Sequence, residues 1–313
     1  MRRHVRDPDP NISRSPLSAS AACHYRNPVQ NNRIAFQGEP GAYSEEALFL
    51  LRPDAVSVPC REFRDVVRAT QEARADYGLL PIENSLVGSI ATNYDLIAES
   101  GLAIVGEVVS PVHHCLLAVR GTTRDALRRV LSHPVALAQC ERFLSQLAQA
   151  EIVAFYDTAG AAAEVARRND PALGAVAGAL AARRYGLEIL VERIEDEPHN
   201  QTRFLLVAPH ASPPQAHVPA KTTLRLRLPH RPGTLAHALA PFAEAGLNLT
   251  KLESRPDRAA AWQYLFYLDV EARVHDPAMQ QVLAALRAQG AEITLLGDYP
   301  RFAATPTNPG RGA

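Results

Sequence analysis

Between Arg33 and Ala208, short runs of aliphatic and β-branched residues alternate with stretches whose apolar positions recur at helical spacing. Ile34–Phe36, Val56–Pro59, Tyr77–Ile82, Leu102–Val109, His113–Val119, Glu151–Tyr156, Gly174–Ala177, Ile189–Ile194 and Arg203–Ala208 read as strands. Glu62–Ala73, Ala136–Leu147, Thr158–Arg168 and Leu180–Tyr185 read as helices. Such alternation predicts α/β layering with mostly parallel strands. The rhythm breaks once, where Leu102–Val109 and His113–Val119 are divided by little more than Ser110-Pro111. A strand-to-strand passage there, with a return near Ile189, predicts two lobes: residues 32–108 plus 188–208, and residues 109–187. The cleft between such lobes is a natural small-molecule site.

A second pattern follows residues 209–220, a proline-rich stretch without periodicity that reads as a semi-rigid linker. Leu224, Leu226 and Leu228 alternate with Thr223, Arg225 and Arg227, as in a strand with one buried face. Thr234–Ala245 then reads as helix, Leu247–Leu252 as extended, Trp262–Val270 as strand, Pro277–Ala288 as helix and Ile293–Leu296 as strand. The order βαββαβ over residues 221–302 is that of the ferredoxin-like fold. Asp276-Pro277 supplies an expected N-cap and first-turn proline, and Pro241 an expected kink. Residues 1–31 read as a disordered extension and 303–313 as a tail.

Composition narrows the partners. Lys+Arg and Asp+Glu each total 33 in 313 residues, so no net field attracts a polyanion and nucleic acid is not an expected partner. No apolar run is long enough to span a bilayer, and the N-terminus lacks the apolar core of a secretory signal. Cys23, Cys60, Cys115 and Cys140 form no C-x-x-C pair, so neither a zinc site nor a redox dithiol is expected. Reduced thiols in the cytoplasm are the simple reading.

Five polar blocks remain. Gly38-Glu39-Pro40-Gly41-Ala42-Tyr43-Ser44 follows the first strand, either as an anion-approaching turn or as a plain βα connection. Pro81-Ile82-Glu83-Asn84-Ser85 lies at the carboxyl end of a strand, where ligands of α/β sheets bind and where a helix cap is equally at home. Ser132-His133-Pro134 and Gln139-Cys140 flank a helix start in the second lobe. Asp157-Thr158-Ala159-Gly160-Ala161-Ala162 opens a helix whose N-terminal amides suit a carboxylate, or simply a capping aspartate. His199-Asn200-Gln201-Thr202-Arg203-Phe204 begins the last strand of the domain and, alone, is an ordinary strand start. No nucleophile elbow, zincin helix or P-loop competes with these blocks.

Taken in order, the blocks resemble those of the prephenate dehydratase family: G-x-x-G-x-Y-S at 38–44, P-I-E-N-S at 81–85, S-H-P at 132–134, T-A-G-A-A at 158–162 and N-x-T-R-F at 200–204. Residues Gly233-Thr234-Leu235, Asn248–Pro256 and Trp262–Asp269 resemble the family's ACT regulatory domain. The resemblance implies a bilobal catalytic domain like the type II periplasmic binding proteins over 32–208, followed by a ferredoxin-like ACT domain. It implies decarboxylative dehydration of prephenate to phenylpyruvate by a carbon–oxygen lyase that needs no metal and no organic cofactor. Thr202, Arg203, Glu83 and Asn84 carry over as catalytic residues, with Thr202 at the departing hydroxyl and Arg203 at substrate carboxylate charge. Ser85, Ser132, Gln139, Thr158, Ala159, Gly160 and Phe204 carry over as substrate-binding residues. Gly233, Thr234, Leu235, Asn248, Leu249, Glu253, Ser254, Arg255 and Pro256 carry over to the site of the effector, L-phenylalanine, in a homodimer or homotetramer. The sequence departs from the family at Val135, where glutamine often follows S-H-P, and at Thr234, where G-A-L is usual. Arogenate dehydratase, with the same chemistry on the amino-acid analogue, is the alternative within the class. A non-catalytic amino-acid sensor is the alternative outside it.

Overall fold

Residues 32–302 are described by a computed structural model of the protein; the expected extension at 1–31 and tail at 303–313 lie outside the described residues. The chain opens with β1 (Arg33–Gln37), α1 (Tyr43–Leu51), β2 (Val56–Cys60), α2 (Phe63–Gln71), β3 (Tyr77–Asn84), the short β4 (Gly88–Ser89), α3 (Ala91–Ser100) and β5 (Ala103–Pro111). It crosses to a second sheet with β6 (Cys115–Ala118) and β7 (Arg129–Ser132), then α4 (Pro134–Ala138), α5 (Glu141–Leu144), β8 (Glu151–Ala154), α6 (Thr158–Arg168), β9 (Leu173–Ala177), α7 (Ala179–Tyr185) and β10 (Glu188–Val191). It returns as β11 (Gln201–Ala208).

The first lobe orders its strands β2-β1-β3-β11-β5, with β11 antiparallel to both neighbours. The second lobe orders its strands β10-β6-β9-β7-β8. Two lobes joined by paired crossings are what the close succession of strands at Ser110-Pro111 predicted. The return falls later than expected, because β10 pairs with β6 in the second sheet and the chain recrosses only after Val191. β7, parallel to both β8 and β9, is a strand the pattern did not reveal. Its four residues are too few for period-two alternation, and three of them are buried. The expected helix over 136–147 is two short helices broken at Gln139-Cys140.

The lobes share apolar contacts. Phe36 and Leu48 of the first lobe pack in one cluster with Leu131 and Ala181 of the second. Gly41 marks the closest approach: a Cβ there would lie 2.7 Å from the Ala181 Cα, and its φ of +95° suits glycine. The turn at 38–41 is thus shaped by lobe packing.

Beyond the linker the order is β12 (Ala220–Arg227), α8 (Thr234–Glu244), β13 (Leu249–Pro256), β14 (Tyr264–Val270), α9 (Pro277–Ala288) and β15 (Glu292–Pro300), the expected βαββαβ. Leu224, Leu226, Leu268 and Val270 face α8 and α9 in a separate core. α8 runs through Pro241 to Glu244. Asp276 precedes α9 without capping it; its carboxylate instead accepts the Arg273 amide at 2.9 Å.

The C-terminal sheet extends the first-lobe sheet edge to edge. β15 pairs parallel with β5 through Gly297 and Ile104, so that one sheet runs β13-β14-β12-β15-β5-β11-β3-β1-β2. The C-terminal domain is therefore built onto the strand next to β11.

Candidate active site

A cavity of about 830 Å³ opens between the lobes, lined by Tyr43, Asn84, Thr202 and Phe204 from the first and by His114, Gln139, Asp157 and Thr158 from around the second. Strand geometry decides who reaches it. Along β11 successive side chains alternate faces, so Thr202 and Phe204 point into the cleft while Arg203 points away. On β3 the register with β11 skips Ile82: Glu83 lies opposite Arg203, and Pro81 opposite Phe204. This irregularity lets Pro81 and Asn84, three residues apart, line the same cleft, a known use of bulges beside sites.

A directed chain of hydrogen bonds crosses the cleft floor. The Leu86 and Val87 amides donate to Asn84 Oδ1 at 3.0 and 2.9 Å, which fixes the orientation of the Asn84 amide. Its Nδ2 then donates to Asn200 Oδ1 (2.7 Å) and to Thr202 Oγ1 (3.0 Å). Asn200 Nδ2 donates to Gln139 Oε1 at 3.1 Å, and His114 Nε2 donates to the same oxygen at 2.9 Å. His114 Nδ1 is left to accept the Tyr43 hydroxyl at 2.6 Å. Burial holds the His114 pKa below its ordinary value, against the raising effect of Gln139, so the ring is neutral as this pattern requires. Burial, then Glu46, pushes the Tyr43 phenol well up, so it remains a donor. The consequence falls on Thr202. Its oxygen accepts from Asn84, and its own hydrogen is free to be donated into the cleft.

Helix ends from both lobes also face the cavity. Tyr43 and Ser44 begin α1, and Thr158 begins α6. Asp157 caps α6 by accepting the Gly160 amide at 2.7 Å. Its carboxyl is raised by burial and lowered in part by the Gly160 and Ala159 amides, with a net upward shift. Two of the expected anion-binding amides of α6, those of Ala159 and Gly160, are therefore already engaged by Asp157.

The expected site residues divide. Asn84, Thr202, Phe204, Gln139 and Thr158 converge on the cleft. Arg203 and Glu83, expected as catalytic, project from the opposite sheet face toward the C-terminal domain. There Arg203 pairs with Asp269, and Glu83 lies 3.7 Å from Lys251. Ser85, Ser132, Ala159 and Gly160 do not line the cavity. The Ser85 hydroxyl donates to the His199 carbonyl and accepts the Gln201 amide, stapling the loop. Ser132 is fully buried and donates to the Val176 carbonyl at 2.6 Å. Ala159 and Gly160 pack inside α6. Tyr43 and His114 were missed as cleft residues, and Asn200 as a buried link in the chain beneath them. Tyr43 and Asn200 stand in quoted blocks, and a His-His pair at the lobe crossing was the available signal for His114.

Residues 34–212 match the family description Prephenate dehydratase, and residues 222–288 match the description ACT domain. The chain belongs to the prephenate dehydratase family. It shares 41% identity over 305 residues with arogenate dehydratase 2 of Petunia hybrida, covering 93% of this chain and 77% of the relative. It shares 42% identity with arogenate dehydratase/prephenate dehydratase 1, chloroplastic, of Arabidopsis thaliana, covering 91% and 76%. Among solved structures, GqqA, described as a novel type of quorum quenching acylase, is 39% identical with a TM-score of 0.81 over 88% of this chain and 98% of that one. Prephenate dehydratase of Arthrobacter aurescens in complex with L-Phe is 31% identical with a TM-score of 0.78 over 86% and 90%. The fold is thus the bilobal, type II periplasmic-binding-protein-like arrangement of the family with an ACT domain behind it, and the chain is a dehydratase-type lyase.

The expected effector residues of the ACT domain also divide by strand alternation. Leu252, Ser254 and Pro256 lie opposite Leu268, Phe266 and Tyr264, on the face that carries α8 and α9. Gly233 and Thr234 begin α8, Leu235 and Leu249 pack on the ACT core, and Asn248 donates to Glu271 at 2.9 Å. Glu253 and Arg255 take the other face. Glu253 accepts from Ser89, and Arg255 pairs with Asp95 of α3 at 2.9 Å. α3 also lines the cleft, so Arg255 joins the ACT domain to a cleft wall. Among the described residues no helix is long and apolar enough to cross a membrane.

Proposed function

We propose that this protein converts prephenate to phenylpyruvate, with L-phenylalanine acting back through the ACT domain. The observation that carries the reading is the Thr202 hydroxyl, held by Asn84 as a free donor facing an interlobe cleft in a chain of this family. In the reaction the ring-to-carboxylate bond breaks and carbon dioxide leaves, its electron pair entering the ring. The ring-to-hydroxyl bond then breaks as that oxygen takes a proton, and water departs. Thr202 donates its hydrogen bond to the departing oxygen. As threonine is a feeble acid, its contribution is positioning and polarisation of that bond. The chain through Asn84, Asn200, Gln139 and His114, each of them neutral, keeps the donor pointed correctly. The amides that begin α1, at Tyr43 and Ser44, offer anion-stabilising dipoles to a carboxylate in place of Arg203.

Arogenate is the second substrate to consider, because the similar plant proteins carry arogenate dehydratase in their names. Incubation of the purified protein with each substrate, with phenylpyruvate and phenylalanine measured separately, distinguishes the two; activity on arogenate alone would replace prephenate. Exposed Leu252 on β13, the edge strand of the ACT sheet, supports association with a second copy around L-phenylalanine, as a dimer or tetramer. The unpaired thiols of Cys60, Cys115 and Cys140 support a reducing compartment such as the cytoplasm.

A further inference from the structure

Arg203 is one residue from the cleft hydroxyl, yet every contact of its guanidinium lies on the ACT side of the sheet. Nε donates to Glu107 of β5 at 2.8 Å, and Nη2 lies 2.7 Å from the same carboxylate. Nη1 meets Asp269 of β14 at 2.5 Å, and Nη2 donates to the Tyr299 hydroxyl of β15 at 3.1 Å. Lys221 of β12 closes the group on Glu107 at 3.1 Å. Side-chain exposures are 12% for Arg203, 11% for Lys221, 2% for Glu107 and 0% for Asp269. Two cations thus balance two carboxylates in a nearly dry seam. Asp269 also accepts from Thr223 at 2.7 Å and from Tyr94 of α3 at 3.3 Å. A single ACT carboxylate therefore touches both β11 and α3, two walls of the active-site cleft.

We propose that Arg203 is a positioning residue for Thr202, anchored by Asp269, so that the ACT domain sets where the Thr202 hydroxyl stands. The proposal rests on the role given to Thr202 above. With its donors committed to Glu107, Asp269 and Tyr299, the guanidinium has no fork left for a substrate carboxylate. Displacement of β14 pulls on β11 through a short, buried, charge-assisted contact from Arg203 Nη1 to Asp269 Oδ2, while the two-donor hold on Glu107 keeps the guanidinium fixed to β5. Exposed pairs such as Arg167–Glu164 lack that rigidity.

The test compares the full-length protein with Asp269→Asn, and with Tyr299→Phe, which removes one guanidinium contact without stranding a charge. Arg273→Gln is the control: it loosens the hold of the ACT domain on its own linker, where Arg273 donates to the Gln215 carbonyl at 2.9 Å. Asp269→Asn is expected to lower kcat about tenfold with KM within about twofold, and to raise the half-inhibiting L-phenylalanine concentration at least about fivefold, the low end of ordinary allosteric coupling. Tyr299→Phe should move both in the same direction by less, and Arg273→Gln should move neither. Amide hydrogen exchange over residues 200–204 should rise in Asp269→Asn and stay unchanged in the control. Unchanged kcat, inhibition and exchange in folded Asp269→Asn or Tyr299→Phe would overturn the proposal. Should the unaltered protein turn over neither prephenate nor arogenate, the functional reading falls, while the exchange result still decides whether Asp269 holds β11.

Discussion

Replacing Gly297 by alanine probes the seam by sterics alone. The Gly297 backbone lies outside the left-handed region, so alanine adopts it without torsional strain. The added Cβ would lie 2.6 Å from the Ile104 Cβ and 3.0 Å from the Ile104 carbonyl carbon, with the Ile104 oxygen closer still. Carbon pairs rest at about 3.5–4.0 Å, so β15 has to withdraw by about 1 Å. Backbone atoms cannot rotate aside as a side-chain tip would. Gly297 and Ile104 form the register pair between β15 and β5, and the Arg203 cluster spans the same seam. Overpacking of this kind costs about 1–3 kcal/mol. For a domain the size of the ACT unit, each kcal/mol shifts Tm by about 4–8 °C. Calorimetry of Gly297→Ala should therefore show the ACT transition move down and separate from that of the catalytic domain. Ile104→Val should not rescue it, because the nearest obstacle is the carbonyl oxygen. A single transition within about 1 °C of the unaltered protein would refute the claim that this close approach fastens the domains.

Thr202→Ala should lower kcat by about 100-fold or more, in the range of positioned proton donors, with Thr202→Ser retaining most activity; equal loss in both would point to packing instead of the hydroxyl. Gln139→Leu strands the His114 and Asn200 donors and should destabilise the protein by about 1–3 kcal/mol in denaturant titration; a change below about 0.5 kcal/mol would mean water replaces the oxygen. His114 has a folded pKa below its ordinary value. Its contribution to stability is therefore complete above about pH 6.5 and is lost as pH falls through the window beneath, where only the unfolded chain binds the proton. The Tm difference between the unaltered protein and His114→Gln should shrink on acidification from pH 7.5 to about 5.5, and a constant difference would show that the ring is not held neutral.

Much of this was legible in the chain because periodicity is a local property. The alternation at Leu224, Leu226 and Leu228, the βαββαβ order and the strand-to-strand passage at Ser110-Pro111 all follow from spacing that neighbouring residues determine. What a motif conceals is direction. Thr202 and Arg203 are adjacent in one block, yet a strand sends them to opposite faces, and the same holds for Asn84 and Glu83. The period-two rule applied to N-x-T-R-F already separates Thr202 and Phe204 from Arg203. What no local rule supplies is the identity of the opposite face, which depends on β15 joining β5 some 190 residues away in sequence. Ser132 misled for a related reason: it ends a buried four-residue strand with no visible alternation, and its hydroxyl serves the Val176 carbonyl. His114 escaped notice because its partners come from α1 and from the break between α4 and α5, distant parts of the chain that only the folded lobes bring together.

A hydroxyl aimed into the interlobe cleft is proposed to assist dehydration in a chain whose ACT domain answers L-phenylalanine. Steady-state formation of phenylpyruvate from prephenate by the purified full-length protein, with and without L-phenylalanine, tests it most directly. The expected result is turnover that L-phenylalanine lowers and Thr202→Ala nearly abolishes. Folded protein that leaves prephenate untouched, or Thr202→Ala turning over at the unaltered rate, would contradict it.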